Sequence, residues 1–177
     1  YDMNKINYQI RLDKILEELE KTREVPRLLL HSCCAPCSSY VLEYLSKYFR
    51  ITVFYHNPNI APEEEYRQRV EEQRRLIREM PFEHPVTFQE GKYEPERFYE
   101  AVRGLEDLPE GQERCHACYR LRLCEAAAVA KEGAYDYFTT TLSISPLKDA
   151  QKLGEIGERA EQEWGVAYLP SDFKKRG

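Results

Sequence analysis

Polar and apolar positions along the chain follow two alternating periods, and their order predicts the elements. From Asn7 to Arg23 the apolar residues Leu12, Ile15, Leu16 and Leu19 recur at helical spacing between charges, the pattern of an amphipathic helix. Pro26 ends it. Arg27-Leu28-Leu29-Leu30-His31 then reads as a short buried strand running into a loop, Ser32-Cys33-Cys34-Ala35-Pro36-Cys37-Ser38-Ser39. A helix over Tyr40 to Phe49, a strand over Ile51 to Tyr55 and a polar turn, His56-Asn57-Pro58-Asn59, follow. The order then recurs, with a charged helix from Glu63 to Met80, a strand from Pro85 to Gln89, a helix from Pro95 to Val102 and a surface loop from Gly104 to Gly111. A helix opening at Cys115 and stopped by Gly133 leads to a strand over Asp136 to Leu142. A helix over Lys148 to Trp164 and a strand over Val166 to Leu169 complete the series.

Strands that alternate with helices predict an α/β fold. We expect a single-domain parallel sheet of about five strands with right-handed crossovers, helices on both faces and active groups at the carboxyl ends of the strands. The loop at Cys33 to Cys37, the turn at His56 to Asn59, the segment Ser143 to Pro146 and Ser171-Asp172 then fall along one rim. A length of 177 residues suits one catalytic domain spanning 1–177. Apolar runs such as Leu28 to Leu30 are far too short to cross a bilayer.

Composition narrows the class. With 42% hydrophobic and 32% charged residues the chain fits a globular protein and neither a disordered nor a collagen-like one. The start, Tyr1-Asp2-Met3-Asn4, has no secretory signal character, so a cytoplasmic location is expected. In that reducing compartment six cysteines point to metal ligands or redox groups rather than a disulfide framework. A net charge of -5 gives no global attraction to phosphate, so a nucleic-acid partner needs a local basic patch.

The cysteines carry the chemistry. Cys33-Cys34-x-x-Cys37 and Cys115-x-x-Cys118 set thiols in two short groups far apart in sequence, and a pair three residues apart can converge on one ion or cluster. The first group precedes a predicted helix, whose N-terminal amides favour thiolate. Cys124 points to another side of its helix and reads as buried filler. Four thiolates satisfy a structural zinc ion, and a thioredoxin-like exchange site needs two. A set of five with oxygen ligands nearby favours an iron-sulfur cluster with an open position.

Several stretches carry a resemblance. They are His31-Ser32-Cys33-Cys34-Ala35-Pro36-Cys37, Tyr55-His56-Asn57-Pro58-Asn59-Ile60, Arg114-Cys115-His116-Ala117-Cys118-Tyr119-Arg120-Leu121-Arg122-Leu123, Thr139 to Pro146 and Ser171-Asp172-Phe173-Lys174-Lys175. Together they resemble the QueH-type epoxyqueuosine reductases over nearly the whole chain. The resemblance implies a fold similar to adenine-nucleotide hydrolase-like (HUP) domains and the last step of queuosine biosynthesis, reduction of an epoxide in a tRNA anticodon loop. It further implies an iron-sulfur cluster (4Fe-4S) bound by cysteines and an aspartate, beside a second mononuclear iron or other metal. Carried over, the cofactor-binding residues are Cys33, Cys34, Cys37, Cys115, Cys118 and Asp172, with Cys33, Cys34, Cys115, Cys118 and Asp172 available to the metal. Asp172 is chosen because it follows the fifth strand, whereas Asp13 lies in the first helix. Family members usually continue past the Asp-Phe-Lys-Lys stretch into a tail with another cysteine pair.

On this reading the cluster relays electrons from an external donor and an open metal position acts on the epoxide oxygen. His31, His56 and His116 are candidate proton donors. Arg114, Arg120, Arg122, Lys174, Lys175 and Arg176 are candidate phosphate contacts, and Tyr55 or Tyr119 a stacking platform for an unpaired base. The alternative is a non-catalytic zinc or iron-sulfur redox-sensing module. ATP-dependent tRNA modification follows from fold analogy alone, and cysteines stand where its glycine-rich phosphate cradle is expected.

Overall fold

Leu28, Leu29 and Leu30 are consecutive and all wholly buried, so the strand that carries them has protein on both faces. The computed structural model describes residues 8–108, 113–144 and 150–170. The strand is β1 (Arg27–His31), followed by β2 (Arg50–Tyr55), β3 (Val86–Glu90), β4 (Tyr137–Thr140) and β5 (Ala167–Tyr168). All pair in parallel, in the order β3-β2-β1-β4-β5. The expected five-stranded parallel α/β sheet is therefore present.

Alternation along each strand divides the core between the two faces. Leu28 and Leu30 of β1 and Ile51 and Val53 of β2 pack with Leu12, Leu16 and Leu19 of α1 (Tyr8–Thr22) and Val41, Leu42 and Leu45 of α2 (Ala35–Leu45). Leu76 and Ile77 of α3 (Glu63–Glu79) join that face. On the other face Leu29, Phe54, Phe138 and Tyr168 pack with Ala126, Ala127 and Ala130 of α5 (Glu113–Glu132) and with Leu153, Ile156 and Ala160 of α6 (Ala150–Trp164). The alanines let α5 lie close to the strands. The short α4 (Pro95–Ala101) rests against α5, joined to it by an Arg97–Glu125 ion pair.

Connections from β1 run one way, through α2 and α3 to β2 and β3, while β4 and β5 lie on its other side. Strand order thus reverses at the β1–β4 boundary, the position at which ligands bind in open α/β sheets. The cysteine-bearing segment after β1 begins at that point. No described helix is long and apolar enough to cross a membrane.

One boundary changes the reading of the site. The helix expected from Tyr40 starts at Ala35, so Cys34 is its N-cap residue, with extended backbone, and Cys37 lies in its first turn rather than in a loop. Pro36, at the head of the helix, is the physical reason: it has no N–H to lose there, and its fixed φ suits the first turn.

Candidate metal centre

Cys33, Cys34 and Cys37 bring their Sγ atoms within 4.8 Å of one another. Cys34 Sγ lies 2.9 Å from Cys37 Sγ. Hydrogen bonds from Cys34 and Cys37, with smaller help from the Thr141 hydroxyl and the Arg122 charge, hold the Cys33 thiol far below its usual range against the opposing effect of burial. The bond to Cys33 pushes the Cys34 and Cys37 thiols up. One thiolate shared by three sulfurs at a helix N-terminus is a site built for a soft cation. The chemistry of the donor set fits a metal ion or an iron-sulfur cluster.

Neighbouring elements hold this loop from several sides. Ser32 N–H donates to Phe54 O (3.0 Å), Thr141 N–H to His31 O (3.0 Å) and Cys33 N–H to Thr141 Oγ1 (3.3 Å). Gln73 reaches in from α3, its Oε1 accepting from Ser32 Oγ (2.7 Å) and its Nε2 donating to Ser38 Oγ (2.9 Å). Ser38 Oγ donates in turn to Ala35 O (3.0 Å). Asn57 Nδ2 donates to Ser32 O at 2.9 Å. The helix carrying Gln73 does show the expected exposed i,i+4 pairs, Glu63–Arg67, Glu65–Arg69 and Arg75–Glu79. Its buried stripe of Tyr66, Val70 and Gln73 is masked in the sequence by the many charges around it, although the spacing of four and three is a helical face.

The second cysteine group is on α5, at the same end of the sheet. Arg27 Nη1, at the start of β1, donates to Gly133 O just past the C-terminal end of α5 (2.7 Å), and Arg122 Nη1, farther up the helix, donates to Asn57 Oδ1 beyond the end of β2 (3.0 Å). The N-terminal turns with Cys115 and Cys118 therefore rise at the carboxyl rim. Cys33 and Cys115 pack against the same core cluster, and Cys118 is buried. The sulfurs of Cys115 and Cys118 are not members of the 4.8 Å group. No disulfide joins any of the six cysteines. Cys124 is half-buried beside Ile156 and Ala160 in a cavity of about 200 Å³ between α5 and α6, apart from the triad. Asp172, Lys174, Lys175 and Arg176 lie outside the described residues.

The histidines differ in their bonding. His31 is wholly buried with both ring nitrogens engaged, Nε2 to His56 O and Nδ1 to Thr140 Oγ1, each at 2.9 Å. A carbonyl only accepts, so Nε2 carries the proton. Nδ1 then accepts from the Thr140 hydroxyl, whose oxygen takes the Leu142 N–H at 3.1 Å. Burial, with the Arg122 charge, lowers its pKa to about 3. His31 is thus a clasp between β1, β2 and β4, with no open nitrogen and its one N–H committed to His56 O. His56 is equally buried, stacked on Phe54 at 5.8 Å, yet among the described residues neither of its ring nitrogens makes a hydrogen bond of ordinary geometry, the nearby Lys92 backbone included. Burial, then Arg97 and Arg122, lower its pKa to about 4. His116, in the first turns of α5, also has both nitrogens without a hydrogen-bond partner and lies 4.0 Å from Glu113.

Arg122 corrects a sequence expectation. It is 4% exposed and cannot present itself to a surface phosphate, whereas Arg120 is exposed and Arg114, half-buried, donates to Glu106 O. Tyr55 and Tyr119 are also buried, so neither is an open stacking platform in this conformation. Tyr55 Oη instead donates to Cys33 O at 3.5 Å.

Residues 28–177 match the family model described as Epoxyqueuosine reductase QueH. The chain belongs to the QueH epoxyqueuosine reductase family. It is 43% identical over 175 residues to the Staphylococcus epidermidis protein named Epoxyqueuosine reductase QueH, covering 97% of this chain and 74% of that one. The Streptococcus pyogenes protein of the same name is 40% identical over 97% of this chain and 68% of its own length. For the Staphylococcus aureus protein of that name the figures are 41%, 97% and 73%. As a QueH family member, the chain carries its cysteine triad inside the matched segment.

Proposed function

We propose that the chain reduces epoxyqueuosine to queuosine in a tRNA anticodon loop, the last step of queuosine biosynthesis, as an iron-sulfur oxidoreductase. The observation that carries this reading is the convergence of three sulfurs, with the Cys33 thiol pushed well below its usual range, at the switch point of the sheet in a QueH family chain. The ligands are drawn from Cys33, Cys34, Cys37, Cys115, Cys118 and Asp172, with Cys33, Cys34, Cys115, Cys118 and Asp172 shared with a second mononuclear iron or other metal. The 4Fe-4S type suits so many thiolates.

Removing the epoxide oxygen takes two electrons and two protons, breaks two C–O bonds, forms an alkene and releases water. An iron-sulfur cluster supplies the electrons when bound, received from an external donor. The protein contributes position and protons. The backbone bonds of Ser32 and Cys33 and the Gln73 bridge fix the thiols, so little reorganisation is needed when ligands bind. His56, neutral near pH 7 with its ring nitrogens unengaged, has one N–H and one lone pair available to hydrogen-bond a departing oxygen, and His116 stands on α5 with its ring nitrogens likewise unbonded. The triad lies at the rim, where an extruded nucleotide can reach it, and Arg114, Arg120, Lys174, Lys175 and Arg176 serve the flanking phosphates. The protein works in the cytoplasm on this reading, a location that a tRNA substrate and metal-binding thiols both support.

Anaerobic reconstitution followed by an assay on epoxyqueuosine-containing tRNA with dithionite as reductant tests the reading. A brown protein containing iron and sulfide that converts the nucleoside is expected. Full turnover after iron removal contradicts it, and a colourless zinc-loaded protein without activity identifies the non-catalytic module instead.

A further inference from the structure

Among the described residues Arg122 is a buried cation without a carboxylate partner. It is 4% exposed, its Nη1 donates to the neutral amide of Asn57 at 3.0 Å, and its Nε has no hydrogen-bond partner. Among the described residues no carboxylate forms an ion pair with it, whereas Arg97, on the neighbouring α4, has Glu125. A guanidinium does not lose its proton in proteins, and burying one is costly unless an opposite charge or a full set of acceptors compensates. Asn57 supplies one acceptor.

The surroundings show where the missing compensation comes from. Cys115, Cys118 and Arg122 stand at i, i+3 and i+7 on α5 and so share one helix face. From Arg122 a hydrogen-bonded path runs through Asn57, whose Nδ2 donates to Ser32 O at 2.9 Å, to the residue preceding Cys33. Both cysteine groups thus border the same guanidinium. Thiolate ligands bring excess negative charge to any metal group they hold, and this is the fixed positive charge buried beside them. We infer that Arg122 is the positioning residue and resident counter-charge of the thiolate centre, balancing the negative charge of the ligated cysteines and, through Asn57, holding the loop that carries Cys33. The inference rests on the iron-sulfur reading and goes beyond it, because it predicts how the protein sets the energy of electron uptake.

A positive charge close to the cluster favours its reduced form, so replacing it with a neutral side chain of similar length weakens electron uptake. The experiment reconstitutes the parent, Arg122→Met and Arg122→Lys anaerobically. It then measures iron and sulfide content, thermal unfolding and the midpoint potential of the cluster. Arg122→Met is expected to load and to lose about tenfold in its reduction equilibrium, a fall of about 59 mV for one electron. Arg122→Lys keeps the charge and is expected to stay within about threefold of the parent. Equal potentials in the parent and a loaded Arg122→Met overturn the inference while leaving the iron-sulfur reading intact. If Arg122→Met does not fold or load, Arg122→Lys decides: a parental potential supports the inference, and a tenfold shift at parental iron and sulfide overturns it. A parent that takes up neither iron nor sulfide sinks both readings.

Discussion

His31 and His56 close the ends of neighbouring strands and are equally hidden from water, but the molecule treats them in opposite ways. His31 has a partner for each ring nitrogen and ties three strands together, while His56 has none for either. Burying an unsatisfied imidazole opposes folding. The difference makes His31 a residue of the scaffold and leaves His56, with Arg122 beside it, as the pair the proposed chemistry draws on.

The largest expected effect separates the two directly. His56→Phe removes the unengaged nitrogens but keeps a ring against Phe54; turnover on epoxyqueuosine-containing tRNA should fall by about 10³-fold while the thermal midpoint stays level or rises. A variant that loses stability and keeps turnover would make His56 a second clasp. His31→Leu should do the reverse, costing about 3 kcal/mol in denaturant unfolding because the Thr140 hydroxyl and the His56 carbonyl lose their partner. Activity per folded molecule should change far less than in His56→Phe. Gln73→Leu, which strips the bridge from Ser32 and Ser38, should cost about 2 kcal/mol and loosen iron retention, measured as release to a chelator.

Acid probes the same two histidines through their protonation. Both histidines have folded-state pKa values below the ordinary 6.5, at about 3 and about 4, so the unfolded chain binds more protons than the folded one between 6.5 and those values. Their contribution is whole above pH 6.5 and is lost as pH falls, by about 1.4 kcal/mol per unit for each histidine. Unfolding curves of the apoprotein between pH 6.5 and 4.5 should show this slope, and His56→Phe should remove about half of it. An unchanged slope in that variant would mean that His56 is charged in the folded state.

The fold is legible because β1 and β2 are short apolar runs between polar breaks and the other strands alternate with helical patterns. β1 was read at its observed limits, and β2 and α3 each differ by a residue at one end. The start of α2 was missed because Cys-Cys-Ala-Pro-Cys-Ser-Ser contains the residues of a loop; Pro36 marked a helix head instead, and it moved Cys37 onto the first turn. Within the site, the triad was legible from spacing alone. Gln73 and Arg122 were not, since polar and charged side chains are read as solvated unless their place on a helical face is traced first. Both lie on such a face, with Tyr66 and Val70 in one case and with Cys115 and Cys118 in the other. No spacing rule could reveal that His31 is bonded twice and His56 not at all, because this depends on strands far apart in sequence meeting at one rim.

The most direct test of the account is the iron and acid-labile sulfide retained after anaerobic reconstitution by the parent, Cys34→Ser and Cys118→Ser. If the two cysteine groups serve one metal centre, the parent holds both elements and each substitution lowers both. Parental iron and sulfide in both variants, or zinc without sulfide in the parent, would contradict it.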